Sequence, residues 1–333
     1  RLHGDPLLED VSCVLLDEFH ERSLDLDLSL GMLHRIRTTL RPELKLVVMS
    51  ATLDPEPIVD FLGDARAITS EGRAYPVDIR YAKMLSRDPV DQQIASILPA
   101  ALRATHGHLL VFLPGVGEIR RARRTIESKG LARDATILEL YGDLSPKDQD
   151  RVLAESGIRK IILSTNVAET SITIPGVTGV IDSGLARVMQ FDPRVGLPKL
   201  QLEPISQASA EQRAGRAGRT EPGVCFRLWP AAVHRSRREG DTAEIERCDF
   251  SDALLTLAAW GERDALAFPW LTPPPVDSIA AAQKLLLRIA AIGGSGSITA
   301  TGRQMLALPL HPRLSRFLVE AAVLGSEAAA ALG

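Results

Sequence analysis

Two adjacent acids, Asp17 and Glu18, stand directly after a short apolar run at residues 13–16. That run is β-rich and short, which predicts a buried strand, and acids at the end of a strand project in different directions. One of them could hold Mg²⁺ through its water shell while the other orients or deprotonates an attacking water. The alternative is an acidic turn that caps the next helix, and the tetrapeptide that ends in His20 leaves both interpretations open.

Hydroxyl and amide side chains follow two further apolar runs. Ser50 and Thr52 are a weak signal, because Ser and Thr at such a place are typical N-caps, here of a helix that starts near Asp54. Residues 164–171 are small and polar, and such side chains suit contacts with the phosphates and sugars of a nucleic-acid backbone. An ordinary polar turn is the alternative for residues 164–171.

The most specific segment is the block QRAGRAGR at residues 212–219. Arg216 and Arg219 share one face of a helical turn, so their guanidinium groups could clamp an oxyanion and stabilise charge that develops on a γ-phosphate. A solvated basic helix is the alternative. Gly215 and Gly218 argue against it, because a glycine inside an exposed helix costs about 1 kcal/mol, whereas here the glycines would allow close backbone approach.

Short apolar runs alternate with amphipathic stretches from the start of the chain to about residue 229. This alternation predicts right-handed βαβ units and doubly wound parallel sheets, in which ligands gather at the carboxyl ends of the strands. The predicted strands are 13–16, 44–49, 109–113, 158–163, 177–181 and 223–228. The predicted helices of this part are 24–40, 91–104, 117–128, 146–155 and 206–217.

The strand signal nearly vanishes beyond residue 249. Helices are predicted at 250–260, 278–292 and 302–308. Three prolines at 273–275 break the chain before the second of them, and a Gly/Ser-rich turn at 293–297 leads into a short strand at 298–300. This order of elements is compatible with a small winged-helix module.

Composition limits the class of protein. The 333 residues are 45% hydrophobic, which suits two or three domains with buried cores. The net charge of -3 argues against a nucleic-acid partner. Residues 212–238, however, include seven arginines and one acid, so this stretch has a local net charge of +6. Three widely separated cysteines favour a reducing, cytoplasmic setting without a disulfide framework or a zinc site, and no apolar run reaches membrane-spanning length.

Taken in order, these motifs resemble those of the DEAH-box helicases of superfamily 2. The resemblance covers nearly the whole chain and includes the strand opening at 110–115, the segments 141–145 and 180–184, and the connector at 72–77. Phe19 stands where the family usually has Ala, and with this residue the sequence resembles the bacterial HrpB-like branch.

The resemblance implies an α/β fold of two tandem RecA-like parallel-sheet lobes, the first truncated, followed by a winged-helix domain and the start of a helical domain. The implied domains are the C-terminal part of the first, ATP-binding lobe at 1–72, the second lobe at 73–240, the winged-helix domain at 241–308 and the beginning of a helical ratchet-type domain at 309–333.

The resemblance also implies an ATP-dependent RNA helicase that uses ATP and Mg²⁺. Asp17 would support Mg²⁺ through water, with Glu18 beside it as the catalytic base. Gln212 would help to position the lytic water, while Arg216 and Arg219 would be arginine fingers that also bind ATP.

The remaining implied roles concern coupling and nucleic acid. His20 would communicate with the second lobe, and Ser50 and Thr52 would couple the nucleotide state to strand separation. The residues expected to face the nucleic-acid backbone, RNA rather than DNA, are Thr165, Asn166 and Thr170.

No glycine in the sequence is followed by lysine, so the 333 residues contain no P-loop of the form G-x-x-x-x-G-K-[ST]. We therefore expect the chain to be a fragment that does not hydrolyse ATP at a useful rate by itself. Two other functions stay open, a DNA-directed superfamily 2 translocase and a non-catalytic nucleic-acid-binding scaffold. The sequence leaves the oligomeric state open.

Overall fold

The computed structural model describes residues 5, 7–51, 54–70, 75–169, 172–192 and 196–323. The described residues form two compact units. The first unit comprises Arg1–Ile68, Met189–Lys199 and Thr242–Gly333, and the second comprises Thr69–Val188 and Leu200–Asp241. Among the described residues, no helix is both long enough and apolar enough to cross a membrane.

The elements follow one another in strand–helix alternation until the chain becomes helical near its end. The strands are β1 (Cys13–Leu16), β2 (Lys45–Val48), β3 (Val77–Tyr81), β4 (His108–Phe112), β5 (Ala135–Leu140), β6 (Arg159–Ser164), β7 (Val177–Asp182), β8 (Leu185–Asp192), β9 (Leu197–Pro204) and β10 (Gly223–Arg227). The helices are α1 (Leu24–Thr39), α2 (Glu56–Leu62), α3 (Val90–Ala104), α4 (Val116–Ser128), α5 (Pro146–Leu153), α6 (Gln207–Gly215), α7 (Ala231–Arg235), α8 (Ser251–Trp260), α9 (Val276–Arg288), α10 (Ala300–Leu306) and α11 (Pro312–Val323).

A six-stranded parallel sheet forms the centre of the second unit, with the order β3-β10-β7-β4-β6-β5. One face packs against α3 and α4 through residues such as Leu98 and Ile126, and the other face packs against α5 and α6 through Val152 and Ala214. Because both faces are covered, the inner strands are continuous apolar runs, which is the pattern that the sequence shows. The expected doubly wound parallel sheet is therefore confirmed.

Within this sheet, the two strands that the sequence did not predict are its edges, β3 and β5. β3 carries Asp78 and Arg80, and β5 carries Glu139, so neither strand reads as an unbroken apolar run. An edge strand is less enclosed than a central one, and the continuous-run criterion detects only strands with two covered faces.

In the first unit, α1 packs both on the strands and on the C-terminal helices. β1 and β2 form a parallel pair, and Leu33 and Ile36 of α1 lie in the core beside it. Leu28 and Met32 lie in a second core with α8, α9 and α10. Close approach requires glycine at Gly31, because a Cβ there would lie 2.3 Å from the Phe268 ring.

Several helix predictions were wrong at their ends, and two of these differences change the local structure. The predicted helix 206–217 ends at Gly215 and tightens into a 3-10 turn at Arg216–Gly218. α9 ends at Arg288 rather than at 292, and Ile292 instead forms an antiparallel bridge with Ile298. Helix, helix, bridged turn and helix follow in order, and the winged-helix assignment stays a prediction.

Candidate functional site

The two acids lie on a tight turn that follows β1. Asp17 is exposed, and its Oδ1 accepts the N–H of Glu18 at 2.8 Å. Glu18 has a left-handed backbone conformation, with φ at 50°, and a 3-10 turn follows it at Phe19–Glu21. The Phe19 N–H donates to the carbonyl of Met49 at 2.9 Å, which joins the acidic turn to the end of β2.

The structure excludes the alternative that the acidic turn caps α1 and the alternative that Ser50 caps α2. The N-cap of α1 is Ser23, whose hydroxyl accepts the N–H of Leu26 at 3.3 Å, so the acidic turn does not cap that helix. α2 begins only at Glu56, whose N–H donates to Asp54 at 3.1 Å, so Ser50 is not its N-cap. Thr52 lies outside the described residues.

His20 connects the acidic turn with the 50–52 motif. Its side chain is only 6% exposed, and Nδ1 accepts the N–H of Ala51 at 3.3 Å. Its Nε2 lies 3.5 Å from Oε2 of Glu18, within ion-pair distance but without a hydrogen bond among the described residues. The imidazole thus lies between the Glu18 carboxylate and the backbone beside Ser50.

The predicted nucleic-acid contacts lie at the carboxyl end of β6 in the second unit. Thr165 is half-buried, and its N–H donates to the carbonyl of Leu140 at 3.1 Å, at the end of β5. Asn166 is exposed and begins a 3-10 turn, Asn166–Ala168. Thr170 lies outside the described residues.

The arginine block packs against the segment that follows this turn. Arg216 is 8% exposed and donates through Nη1 to the carbonyl of Ile172 at 3.1 Å and through Nη2 to the carbonyl of Glu169. Arg219 is exposed and donates to the hydroxyl of Thr173. Both guanidinium groups therefore bond to the segment around Glu169, Ile172 and Thr173.

Gln212 is half-buried on α6, the helix that leads into the 3-10 turn of the arginines. That helix begins at its N-cap Ser206, whose hydroxyl accepts the N–H of Ser209 at 3.0 Å. The cap fixes where α6 starts, and the register of the helix then determines where Gln212 lies.

Arg213, to which the sequence assigned no role, holds the block in place. It is 1% exposed and bonds Oε2 of Glu169 at 2.8 Å and Oδ1 of Asp182 at 3.0 Å, while its guanidinium lies 4.8 Å from the centre of the Phe112 ring. Burial by itself lowers the pKa of Arg213, but Asp182 and Glu169 outweigh it and raise the pKa above its ordinary value. The only available signal was the presence of acids after β6 and at the end of β7.

The glycines of the block differ in what they do. A Cβ on Gly218 would lie 2.5 Å from the carbonyl oxygen of Tyr75, whose N–H bonds the Gly218 carbonyl at 2.8 Å. Nothing lies within 4 Å of a Cβ placed on Gly215. The sequence predicted that both glycines allow a close backbone approach. The structure confirms this for Gly218, and the prediction is wrong for Gly215.

The basic stretch 212–238 is largely an internal feature, so its local net charge of +6 does not form a basic surface. Arg227 has a fully buried side chain and pairs with Glu211 at 2.8 Å. Arg237 stacks on Trp229 with its guanidinium 4.3 Å from the ring centre. The exposed arginines of this stretch are Arg219, Arg235 and Arg238.

The parallel sheet, with polar motifs at the carboxyl ends of its strands and an arginine block packed beside them, defines the class as a doubly wound α/β fold. Residues 91–221 match the helicase conserved C-terminal domain. Over nearly its whole length the chain is similar to DEAH-box helicases of superfamily 2.

Individual relatives agree with this placement. The chain is 42% identical over 322 residues to the ATP-dependent RNA helicase HrpB of Escherichia coli (strain K12), and the match covers 96% of this chain and 40% of HrpB. It is 38% identical over 329 residues to the pre-mRNA-splicing factor ATP-dependent RNA helicase prp22 of Schizosaccharomyces pombe, which covers 96% of this chain and 28% of that protein.

The fold comparison gives the same result. A crystal structure of the Escherichia coli DEAH/RHA helicase HrpB matches with a TM-score of 0.87 and 42% identity, over 96% of this chain and 41% of HrpB. The second unit therefore has the RecA-like fold. The chain spans about two fifths of the length of HrpB and less of prp22.

Proposed function

We propose that this chain is part of an ATP-dependent RNA helicase that couples ATP hydrolysis to translocation on nucleic acid and its unwinding. One observation carries the proposal. Arg216 and Arg219 bond to Glu169, Ile172 and Thr173, which come after the turn that bears Thr165 and Asn166. A nucleic-acid strand that moves this turn would therefore move the two arginines as well.

The hydrolytic step assigns one role to each side chain. Glu18 takes the proton of the attacking water, and Gln212 orients that water. Arg216 and Arg219 stabilise charge on the γ-phosphate, and such a finger is worth about 10³–10⁵ in rate. To engage phosphate, Arg216 exchanges its carbonyl partners for phosphate oxygens, which are stronger acceptors.

The acidic turn fits Mg²⁺. Asp17 and Glu18 offer carboxylate oxygens at the open end of β1, and hard cations bind oxygen. Two carboxylates are fewer than the six ligands that Mg²⁺ takes, so the cation would keep waters and be held through them. Bound Mg²⁺ would supply neutralising charge to the phosphates.

The remaining assignments concern nucleic acid. Thr165, Asn166 and Thr170 would contact the backbone of the strand. Ser50 and Thr52 would couple the nucleotide state to strand separation, and the link through His20 to Glu18 supports this role for the 50–52 motif. RNA is favoured over DNA because the similar proteins are RNA helicases.

We also propose the four-domain division at 1–72, 73–240, 241–308 and 309–333. The order of α8, α9, the Ile292–Ile298 bridge and α10 supports a winged-helix domain in the third of these. A cytoplasmic location belongs with this function.

The test uses an HrpB chimera, in which this chain replaces the matching segment of Escherichia coli HrpB. ATP hydrolysis and duplex unwinding by the chimera are measured. We expect RNA-stimulated hydrolysis and RNA unwinding, and a rate loss of at least about 10³-fold in Arg216→Ala. Arg235→Ala, an exposed arginine of the same stretch, is the matched control. Unwinding of DNA alone would indicate a translocase, and binding without hydrolysis would indicate a scaffold.

The isolated chain provides a second test. Since its sequence contains no P-loop, we propose that the 333 residues alone show no ATP turnover above that of Glu18→Gln. The measurement is phosphate release with and without RNA. ATP turnover comparable to that of the HrpB chimera would contradict this expectation.

A further inference from the structure

The turn that carries Glu18 is strained at both of its ends. Glu18 has a φ of 50° and Arg22, at the other end, has a φ of 47°. Residues other than glycine rarely occupy this left-handed region, and they stay there only where the surroundings determine the conformation. Something must therefore hold each end of the turn.

The first end is held by the end of β2. Phe19 donates its N–H to the carbonyl of Met49 at 2.9 Å, and the ring of His20 accepts the N–H of Ala51 at 3.3 Å. These bonds fix the residues directly after Glu18. They do not reach Arg22.

The second end is held by side chains and backbone from the distant C-terminal part of the same unit. Arg22 Nη2 donates to the hydroxyl of Thr272 at 2.8 Å, across 250 positions of sequence. The carbonyl of Arg22 accepts the N–H of Glu244 at 3.0 Å. The Glu244 carboxylate also accepts the N–H of Leu24 at 3.0 Å, at the start of α1.

Two local partners complete the attachment. Asp27 is 0% exposed and lies 3.0 Å from Nη2 of Arg22. Burial raises the pKa of Asp27 although Arg22 lowers it, so the buried carboxylate depends on the guanidinium for its compensation. The ring of Phe19, also 0% exposed, lies 5.7 Å from the Arg22 guanidinium and provides a face for it.

We propose that Arg22 is a positioning residue for Glu18, and that Thr272 and Glu244 hold it so that the C-terminal part of the unit controls the geometry of the catalytic turn. The proposal rests on the proposed function for the role of Glu18. A loss of the Thr272 contact relaxes Arg22, the strained turn opens, and the carboxylate leaves its place beside His20.

The first experiment needs no ATP and uses the chain itself. Hydrogen exchange of the peptide that covers residues 17–22 is compared between the parent, Arg22→Met and Thr272→Val. We expect exchange to rise about tenfold in both variants, because a lost hydrogen bond raises local opening by about that much. Arg22→Met leaves Asp27 unpaired and can unfold the unit, so Thr272→Val, which keeps the ion pair, is the deciding variant.

Arg35→Met is the matched control. Arg35 of α1 bonds Glu262 at 2.7 Å and the carbonyl of Ala267 at 3.0 Å, so it joins the same two parts of the unit away from the turn. We expect exchange at residues 17–22 to stay at the parent value in this variant. Equal exchange in Thr272→Val and the parent, or an equal rise in Arg35→Met, would overturn the proposal.

The second experiment measures ATP hydrolysis by the HrpB chimera. We expect Arg22→Met to lower kcat about 10²-fold with the KM for ATP changed less than about twofold, because displacement of a catalytic group by about 1 Å has that effect. Arg22→Lys should recover part of the loss. An unchanged kcat together with increased hydrogen exchange would overturn the positioning role. An inactive parent chimera would instead contradict the proposed function, and the hydrogen-exchange comparison would then decide whether Thr272 controls the turn.

Discussion

Arginines that look alike in the 212–219 block have different environments. Arg213 is an internal cation held by Glu169 and Asp182. Arg216 is buried against backbone carbonyls, and Arg219 is exposed. Only residues whose guanidinium groups can reach a ligand can be fingers, so Arg213 is structural in our assignment, and Arg216 and Arg219 are the catalytic candidates.

Arg213→Met should destabilise the second unit by about 3–5 kcal/mol, because it leaves two buried carboxylates without their partner. Urea unfolding followed by circular dichroism measures the loss. Arg235→Met, which removes an exposed guanidinium, should change stability by no more than about 0.5 kcal/mol. Equal effects of the two substitutions would show that the internal pairs add nothing.

The element that carries these arginines is set by its backbone as much as by its side chains. α6 ends at Gly215 and the chain tightens into a 3-10 turn, which directs Arg216 to Ile172 and Arg219 to Thr173. Gly218 in that turn meets the backbone of Tyr75, next to β3. The turn is therefore tied to the edge of the sheet.

Alanine at the two glycines of the block should have opposite effects. Gly218→Ala should lower the free energy of unfolding, because the Cβ would lie 2.5 Å from a carbonyl oxygen. Gly215→Ala, which has space around it and a helical backbone, should raise that free energy by about 0.5–1 kcal/mol. Urea unfolding of both variants checks the two signs, and a stabilised Gly218→Ala would contradict the close-approach argument.

At the scale of the whole molecule, three partly buried histidines contribute to the dependence of stability on pH. Burial is the main cause that lowers the pKa of His34, His108 and His234. In the unfolded chain these rings bind protons at about pH 6.5, and in the folded chain only at lower pH. The unfolded state therefore holds more protons just below pH 6.5, so stability falls as the pH drops through that window.

The melting temperature should accordingly decrease between pH 7.5 and pH 5.5. His108→Asn should reduce this decrease, because Asn does not take up a proton and can still accept the Lys160 N–H that His108 binds at 3.2 Å. His106→Asn, at an exposed ring two residues earlier, is the control and should leave the decrease as it is. The same slope in both variants would exclude His108 as a cause.

The sequence alone determined the motif residues and the inner strands. β4, β6, β7 and β10 are covered on both faces, and this burial requires the unbroken apolar runs from which they were predicted. The acids, the 164–171 cluster and the arginine block were likewise identified from residue type and spacing. These features are local, so a local pattern is enough to find them.

Only the tertiary structure decided which of these groups meet. It paired Arg213 with Glu169 and Asp182, made β3 and β5 the edges of the sheet, and turned most of a basic stretch inward. It also joined Arg22 to Thr272 across 250 positions. The physical reason is the same in each case, since a contact between distant parts of the chain follows from packing and not from the local order of residues.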